Sequence, residues 1–266
     1  MATLVSFHAH PDDESIATAG TMAKAKALGH RVVLVIATRG EHGEPVPGVL
    51  DDGEPLSVRR TAETYESARL LGIDRVEFLG YVDSGMVGTP TSEVPWSFAQ
   101  TPLDQAAARL AVILGEEQAD VITTYDDNGG YGHPDHIQVH RVGARAADLV
   151  GIEQVFQNTI NRTALIEGAA AMRDSLPEGI ELPDFSAQPD FGKPAEVITH
   201  RVDVSDFTGL KRSSMQAHRS QISETDFFLT MPDDMFGRAF GTEWYIADGP
   251  PPTQGSLADE LFEPVR

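Results

Sequence analysis

The chain has 266 residues, of which 41 are acidic and 20 are basic, so its formal net charge at pH 7 is −21. A charge of this sign repels nucleic acid and anionic membranes at long range, and we expect neither as a partner. The sequence contains no cysteine, which excludes disulfides, thiolate nucleophiles and cysteine-ligated metal sites, so any metal ion must be held by His, Asp, Glu or water.

Strands and helices are predicted to alternate through the first half of the chain. In chain order the predicted elements are strand Thr3–Phe7, helix Ser15–Leu28, strand Arg31–Ala37, helix Leu56–Leu71, strand Arg75–Leu79, helix Leu103–Gln118, strand Val121–Thr124 and helix Ile137–Val150. The apolar run RVVLVIA in the second strand is continuous, which is typical of a strand buried on both faces of a parallel sheet. We therefore predict an α/β fold with a Rossmann-like, mostly parallel sheet and helices on both faces.

The second half follows a less regular pattern, which predicts a smaller, irregular C-terminal part. The predicted strands are Val155–Ile160 and Val197–Val204, the predicted helix is Phe207–His218, Pro177–Pro194 is loop, and Gly249–Pro252 begins a tail. No apolar run approaches the ~20 residues that span a bilayer, and no basic region precedes the first strand. These observations predict a protein without membrane contact, in the cytoplasm.

Polar clusters follow each of the four predicted strands of the first half. They lie at His8–Glu14, Arg39–Glu44, Asp83–Met86 and Asp126–His136. Ligands bind beyond the carboxyl ends of the strands in an open parallel sheet. We therefore expect the four loops to meet at one edge of the sheet and to form one site.

The first cluster contains a dense set of metal-binding side chains in the segment AHPDDE, residues 9–14. Zn²⁺ accepts imidazole nitrogen and carboxylate oxygen at about 2.0–2.2 Å, and a catalytic zinc site keeps a position for water. If the chain turns into a helix at Pro11, His10 and Asp13 meet on one side and Asp12 is free to act as a base. The alternative is an ordinary helix start, where Pro and acidic residues are common.

A second His-Pro-Asp motif follows the fourth strand, in TYDDNGGYGHPDH, residues 124–136, and again precedes a helix. His136 would complete a His/Asp/His metal site with the first motif. His133 would then serve as an acid or an oxyanion donor, because a carboxylate such as Asp135 holds a histidine in one tautomer and raises its pKa. Two such motifs at two strand ends predict a metal site.

The segments AHPDDE and NGGYGHPDH together resemble the two signature motifs of the PIG-L/LmbE-like N-deacetylase family. The resemblance is nearest to an actinobacterial branch that contains N-acetylglucosaminyl-inositol deacetylases and mycothiol S-conjugate amidases. Further matching segments are GEHGE at 40–44, the pair Arg60 and Glu63, and DSGMVGTP at 83–90. The match is good over residues 1–150 and loose beyond. It implies a single deacetylase domain, with residues 1–150 as the catalytic core and 151–266 as an extension that completes the cleft.

The resemblance also implies a role for each matched residue. It assigns His10, Asp13 and His136 as ligands of Zn²⁺, with Fe²⁺ as an alternative that accepts the same ligands. The implied catalytic residues are Asp12 as general base, His133, oriented by Asp135, as the donor to the leaving amine or the oxyanion, and Tyr131 as a second oxyanion donor. The implied contacts to an N-acyl amino-sugar substrate are Glu44, Arg60 and Asp83. His8 is expected to support the site from behind, and His218 is a candidate for the rim of the cleft.

Three alternatives stay open besides removal of an acetyl group from a glucosamine-type molecule. The chain could be an amidase on mycothiol S-conjugates, a deacetylase of a natural product, or a metal-containing module that only binds sugar. The presence of Asp12 and His133, which binding alone does not require, argues against the module. A dinucleotide-binding enzyme is disfavoured because no GxGxxG follows the first strand. The oligomeric state is open as well.

Overall fold

Seven strands form one sheet in the computed structural model, which describes residues 1–172, 185–188, 190–247 and 261. The strands are β1 (Thr3–His8), β2 (Arg31–Ile36), β3 (Arg75–Phe78), β4 (Val121–Tyr125), β5 (Gln154–Thr159), β6 (His200–Asp203) and β7 (Thr242–Ala247). Their spatial order is β3-β2-β1-β4-β5-β7-β6. Strand β7 is antiparallel to both of its neighbours, whereas β1 to β5 pair in parallel, so the predicted mostly parallel sheet is confirmed.

Helices cover both faces of this sheet. They are α1 (Asp13–Ala17), α2 (Ala19–Ala27), α3 (Leu56–Leu71), α4 (Leu103–Glu116), α5 (Pro134–Val150), α6 (Arg162–Met172), α7 (Thr208–Ala217), α8 (Phe227–Thr230) and α9 (Asp233–Phe240). Successive side chains of a strand point to opposite faces. In β2, Val33 and Val35 accordingly pack in the cluster that contains α4 and α5, and Leu34 and Ile36 pack in the cluster that contains α2. The predicted two-sided α/β architecture is therefore confirmed.

The strand order reverses between β1 and β4, which are neighbours in the sheet although more than a hundred residues separate them. Ser6 pairs with Thr123 in this parallel contact. The chain crosses to one side through β2 and β3 and to the other through β5, which opens a crevice at the carboxyl ends of β1 and β4. The two His-Pro-Asp motifs follow these two strands directly, so the topology places them at the same crevice.

The predicted helix Ser15–Leu28 is instead two helices, α1 and α2, which are separated at Thr18. The Thr18 hydroxyl lies 2.8 Å from His8 Nε2 and 3.1 Å from the Ser6 hydroxyl, so the break turns a polar side chain into the network behind β1. The free backbone N–H groups in the first turn of α2 donate to the carboxylate of Glu243, in β7. Helical periodicity alone does not reveal such a break, because the apolar positions continue in phase across it.

The second half holds more regular structure than the sequence pattern indicates. Strand β7 and helices α6, α8 and α9 were not predicted, and the strand predicted at Val197–Val204 is limited to β6. Half of the loop predicted at 177–194 lies outside the described residues, which include 185–188 and 190–194. All of the tail predicted at 249–252 lies outside them as well. Within the described residues, no helix combines the length and the apolarity that a membrane crossing requires.

A buried ion pair joins the last strand to two helices. Lys211 Nζ of α7 lies 2.6 Å from Glu243 Oε1 of β7, and each side chain is only 2% exposed. The Glu243 carboxylate also accepts the backbone N–H groups of Gly20 at 2.9 Å and Thr21 at 2.8 Å, at the start of α2. Glu243 therefore neutralises a buried lysine and caps a helix at the same time.

Substitution Glu243→Gln should lower the free energy of unfolding by about 3–5 kcal/mol, because it leaves the Lys211 ammonium buried without a counter-charge. The measurement is urea unfolding followed by circular dichroism. Glu66→Gln is the control, since Glu66 and Arg69 form an exposed pair on α3 and its loss should leave the midpoint unchanged. A loss below about 1 kcal/mol in Glu243→Gln would mean that the pair does not carry the stability assigned to it.

Candidate active site

The turn between β1 and α1 holds Asp12 in an unusual backbone conformation. Asp12 has φ 90° and ψ −31°, and it is one of two non-glycine residues with positive φ in the described part of the chain. Arg60 stabilises this turn from α3, because its guanidinium donates to the carbonyl oxygens of Pro11 and Gly40 and its Nη2 lies 3.3 Å from Asp12 Oδ2. Glu14 Oε2 accepts the Asp12 N–H at 3.0 Å. The Pro11–Asp12 peptide is thus held at both its carbonyl oxygen and its N–H group.

Asp13 lies at the meeting point of the two His-Pro-Asp motifs. Its Oδ2 accepts the backbone N–H of His10 at 2.8 Å and lies 3.5 Å from His10 Nδ1 and 3.4 Å from His136 Nε2. Donor atoms at tetrahedral angles around an ion with bonds of ~2.1 Å are separated by about 3.4 Å. The two separations from Asp13 Oδ2 to the imidazole nitrogens match this value.

The first turn of α5 carries the second motif. Gly129 has φ 64°, and a Cβ atom there would lie 2.4 Å from His136 Cβ, so only glycine lets the loop pack against the helix this closely. Tyr131 follows in the same loop, half-exposed, with its hydroxyl 3.3 Å from His136 Nε2. The loop thereby places a phenol beside the three predicted ligands.

The Asp135 carboxylate does not contact His133, contrary to the expectation. It is bonded instead to the backbone N–H and the hydroxyl of Ser84, and its Oδ2 lies 3.1 Å from His10 Nε2. His133 Nδ1 accepts the backbone N–H of Asp135 at 3.1 Å. Helix capping geometry explains the difference, since a histidine at the N-cap position turns its ring back to the backbone amide two residues later.

Two groups of metal-binding side chains have all their donor atoms within 4.8 Å of one another among the described residues, and the predicted ligand set is neither of them. They are His10 with His133 and His136, and His10 with Asp83 and Asp135; Asp13 belongs to neither. The tautomers of His133 and His10 distinguish these two groups from the predicted ligand set. Because His133 Nδ1 accepts a hydrogen bond, its neutral ring carries the proton on Nε2, which leaves no lone pair for a metal. His10 Nε2 faces two carboxylates, which leaves Nδ1 as the ligand atom, on the side of Asp13.

The electrostatics of the site follow from burial among several charges. Burial raises the pKa of Asp12 to about 6, with the guanidinium of Arg60 opposing the shift. Burial and the neighbouring imidazoles of His10 and His136 lower the pKa of His133 to about 4, so the raised pKa expected for His133 is wrong for the protein without a metal ion. Burial opposes the charged form of Asp13, but the two imidazoles outweigh it and hold the pKa of Asp13 well below its ordinary value.

The three predicted substrate contacts occupy different environments. Asp83 is buried, accepts the backbone N–H groups of His42 and Gly85, and lies 3.4 Å from His10 Nε2. Arg60 is 4% exposed and is engaged by the turn at Asp12. Glu44 is exposed on the loop after β2. Asp83 and Arg60 therefore lie beside the predicted metal ligands, and the contact of all three with a substrate stays a prediction.

Two side chains that contribute to the site were not identified from the sequence. Tyr125, at the end of β4, stacks on His136 with ring centroids 4.4 Å apart and an angle of 13° between the planes. Its hydroxyl lies 2.8 Å from Nδ1 of the buried His8, which therefore supports the site from behind. Ser84 fixes the Asp135 carboxylate. Tyr125 stands within the matched segment 124–136, but nothing in the sequence separates a stacked tyrosine from a core residue.

His218 does not lie at the rim of the cleft. It is fully buried after α7, and its Nε2 is 2.6 Å from Glu14 Oε1. Burial opposes the charged form of this ring, but the Glu14 carboxylate outweighs it and raises the pKa of His218. The expectation was wrong because α7 packs against α1 and α3, which turns the end of the helix inward.

Comparison with known proteins identifies the family of this chain. The model of the PIG-L family, described as GlcNAc-PI de-N-acetylase, matches residues 5–147. A 1D-myo-inositol 2-acetamido-2-deoxy-alpha-D-glucopyranoside deacetylase from Acidothermus cellulolyticus is 41% identical, over 92% of this chain and 88% of that protein. A deacetylase with the same name from Streptomyces griseus is 37% identical, over 97% of this chain and 88% of that protein.

A solved structure with the same fold is the N,N'-diacetylchitobiose deacetylase from Pyrococcus horikoshii. It superposes with a TM-score of 0.52 at 25% sequence identity and covers 88% of this chain and 72% of that one. The family model spans more than half of the chain, and the relatives align over nearly all of it. On these grounds the chain belongs to the PIG-L family of de-N-acetylases.

Proposed function

We propose that this protein is a metal-dependent deacetylase that hydrolyses the N-acetyl group of a small glucosaminyl-inositol molecule, the substrate class named for its curated relatives. The observation that carries the proposal is the convergence of Asp13 Oδ2 on two imidazoles, from two loops that follow β1 and β4. Asp12 and His133 lie beside this centre. A site that only bound sugar would need neither a carboxylate base nor a histidine in addition to the two ligands.

We propose that His10, Asp13 and His136 would hold the metal ion. The donor set of two imidazoles and one carboxylate suits Zn²⁺ and also accepts Fe²⁺. When bound, such an ion would lower the pKa of a water molecule toward ~7 and polarise the amide carbonyl. The stacked ring of Tyr125 and the Asp135 carboxylate would keep the two imidazoles oriented.

Asp12 is the proposed general base. Its carboxylate is partly exposed, with 17% of the side chain accessible, and its partner is Arg60. Arg60 Nη2, at 3.3 Å, keeps the carboxylate aligned while leaving an oxygen to accept the proton of the attacking water. Proximity of a fixed base to that water contributes about 10²–10⁴-fold to such a reaction.

His133 and Tyr131 are the proposed donors to the substrate. The tautomer of His133 places its proton on Nε2, from where the neutral ring can donate a hydrogen bond to the carbonyl oxygen as that atom becomes negative. The proton that the departing nitrogen requires is the one that Asp12 takes from the attacking water. The hydroxyl of Tyr131, which lies on the exposed side of His136, donates to the carbonyl oxygen as that atom becomes negative. A donor placed at a developing oxyanion contributes a few kcal/mol.

Residues after 150 complete the cleft in this proposal. The N–H of Gly192 donates to the carbonyl of Gly130 at 2.7 Å, which fixes the loop that carries Tyr131. The N–H of Val46 donates to the carbonyl of Ser220 at 2.8 Å, which fixes the loop that carries Glu44. We therefore propose one domain, 1–266, in which residues 1–150 supply the chemistry and 151–266 hold its loops. A cytoplasmic location stays part of the proposal.

Chelator-treated protein should bind one equivalent of Zn²⁺ or Fe²⁺ again, and His136→Ala should abolish this binding. His133→Ala should retain the ion, because its Nδ1 is engaged by the Asp135 amide and its Nε2 carries the proton. Metal content after gel filtration, measured by plasma mass spectrometry, checks both outcomes. Loss of the ion in His133→Ala would replace Asp13 by His133 in the ligand set.

Asp12→Asn should keep the metal ion and lower kcat by about 10²–10⁴-fold, since the amide preserves shape but cannot accept the water proton. The measurement is kcat from amine release, with metal content determined on the same sample. Asp13→Asn is the matched variant and should lose the ion. The reverse pattern, with the ion lost in Asp12→Asn and kept in Asp13→Asn, would exchange the roles of the two carboxylates.

Amine release across a substrate panel tests the substrate class. N-acetylglucosaminyl-inositol should be hydrolysed with a kcat/KM well above that for N-acetylglucosamine, because the inositol supplies remote binding energy that the monosaccharide lacks. A mycothiol S-conjugate is included as the substrate of the alternative amidase activity. A higher kcat/KM on the conjugate would reassign the function to that amidase, and turnover of none of the three would favour the binding module.

A further inference from the structure

The positive φ of Asp12 must be maintained by its surroundings, because such a backbone conformation is strained for a non-glycine residue. The side chain of a residue at positive φ leaves the backbone in a direction that an ordinary helix start does not offer. Maintaining the conformation therefore determines where the Asp12 carboxylate points. The N–H of Asp12, which reports this peptide's orientation, donates to Glu14 Oε2 at 3.0 Å.

Glu14 is fully buried, and each hydrogen bond of its carboxylate helps to fix its position. While Oε2 accepts the Asp12 N–H, Oε1 accepts from His218 Nε2 at 2.6 Å and from the hydroxyls of Ser67 at 2.6 Å and Ser15 at 3.0 Å. A buried carboxylate keeps one orientation only if hydrogen bonds or a counter-charge replace its lost contacts with water. Among the described residues, the one partner at hydrogen-bond distance that has a basic side chain is His218, which follows α7 in the C-terminal part of the chain.

Asp13, by contrast, is held without help from this cluster. Its Oδ2 accepts the His10 N–H at 2.8 Å and faces the imidazoles of His10 and His136. None of these groups contacts Glu14 or His218 in the hydrogen bonds of the described residues. A change at His218 should therefore reach the Asp12 peptide and leave the metal ligands in place.

We propose that His218 is a positioning residue for the general base: its ion pair with Glu14 fixes the Asp12 peptide at positive φ and so directs the Asp12 carboxylate toward the attacking water. The proposal rests on the role of Asp12 in the proposed function. It assigns the C-terminal part a task in catalysis that is separate from closing the cleft. Without His218, the Glu14 carboxylate would lose the hydrogen bond at Oε1 and turn, and the Asp12 peptide would relax.

The test is a double-mutant cycle of His218→Leu and Asp12→Asn. His218→Leu alone should lower kcat about 10–100-fold, the loss expected for a reacting group displaced by about 1 Å, with KM within about threefold and one equivalent of metal retained. In the Asp12→Asn background, His218→Leu should change kcat by less than about twofold, because the group through which it acts is already absent. Thermal unfolding of all four proteins accompanies the kinetics.

His218→Gln keeps the test decisive if the leucine variant fails to fold. Its amide can donate to Glu14 Oε1, so its kcat should lie within about tenfold of that of the wild type. Ser214→Ala is the control: the Ser214 hydroxyl contacts those of Ser15 and Ser67 but not Glu14, so this variant disturbs the same cluster and should keep kcat near that of the wild type.

The outcomes distinguish a failure of the positioning role of His218 from a failure of Asp12 as the base. An equal loss from His218→Leu in both backgrounds, an unchanged kcat, or an equal loss in Ser214→Ala would overturn the positioning role while leaving Asp12 as the base. Loss of the metal ion in His218→Leu would overturn it too, since the effect would then pass through the ligands. Wild-type turnover in Asp12→Asn would remove the base itself, and with it both proposals.

Discussion

The parallel contact between β1 and β4 is the constraint on which the site depends. These strands are paired through residues such as Leu4 and Val121, and both are fully buried between helices. Because a His-Pro-Asp motif lies in the loop that follows each strand, pairing them in this register brings one imidazole and two carboxylates from the first loop against two imidazoles from the second. A shift in register would move the turns apart by a step of more than 3 Å, beyond the reach of a shared ion.

Three neighbouring carboxylates at the site lie in different electrostatic surroundings. Asp13 faces imidazoles and stays ionised, Asp12 faces a guanidinium across a partly exposed gap, and Glu14 is buried against His218. Three consecutive acids can share a turn because each one meets a different basic side chain. In the proposed function the same chemical group therefore serves as ligand, base and support, and its surroundings decide which.

Much of this arrangement could be predicted from local patterns, because the motifs that carry it are short. The α3 helix was predicted to the residue from its apolar spacing and the glycine that ends it. The link between Glu14 and His218 could not be predicted in that way, since the two residues are 204 positions apart and neither spacing nor motif connects them. Strand β7 was missed because its buried face presents Glu243 and Tyr245, so its polarity pattern resembles that of an exposed segment.

The cap that β7 supplies to α2 has a consequence for synthesis of the chain. Glu243 and Gly20 are 223 residues apart, so α2 lacks its cap until residue 243 has been translated. At about 5–20 residues per second, that interval is on the order of 10–45 s on the ribosome. During this time the helix that begins just after the turn at Asp12 is incomplete. The nascent chain therefore carries its two His-Pro-Asp motifs long before it can arrange them, and we expect activity only after β7 has emerged and paired.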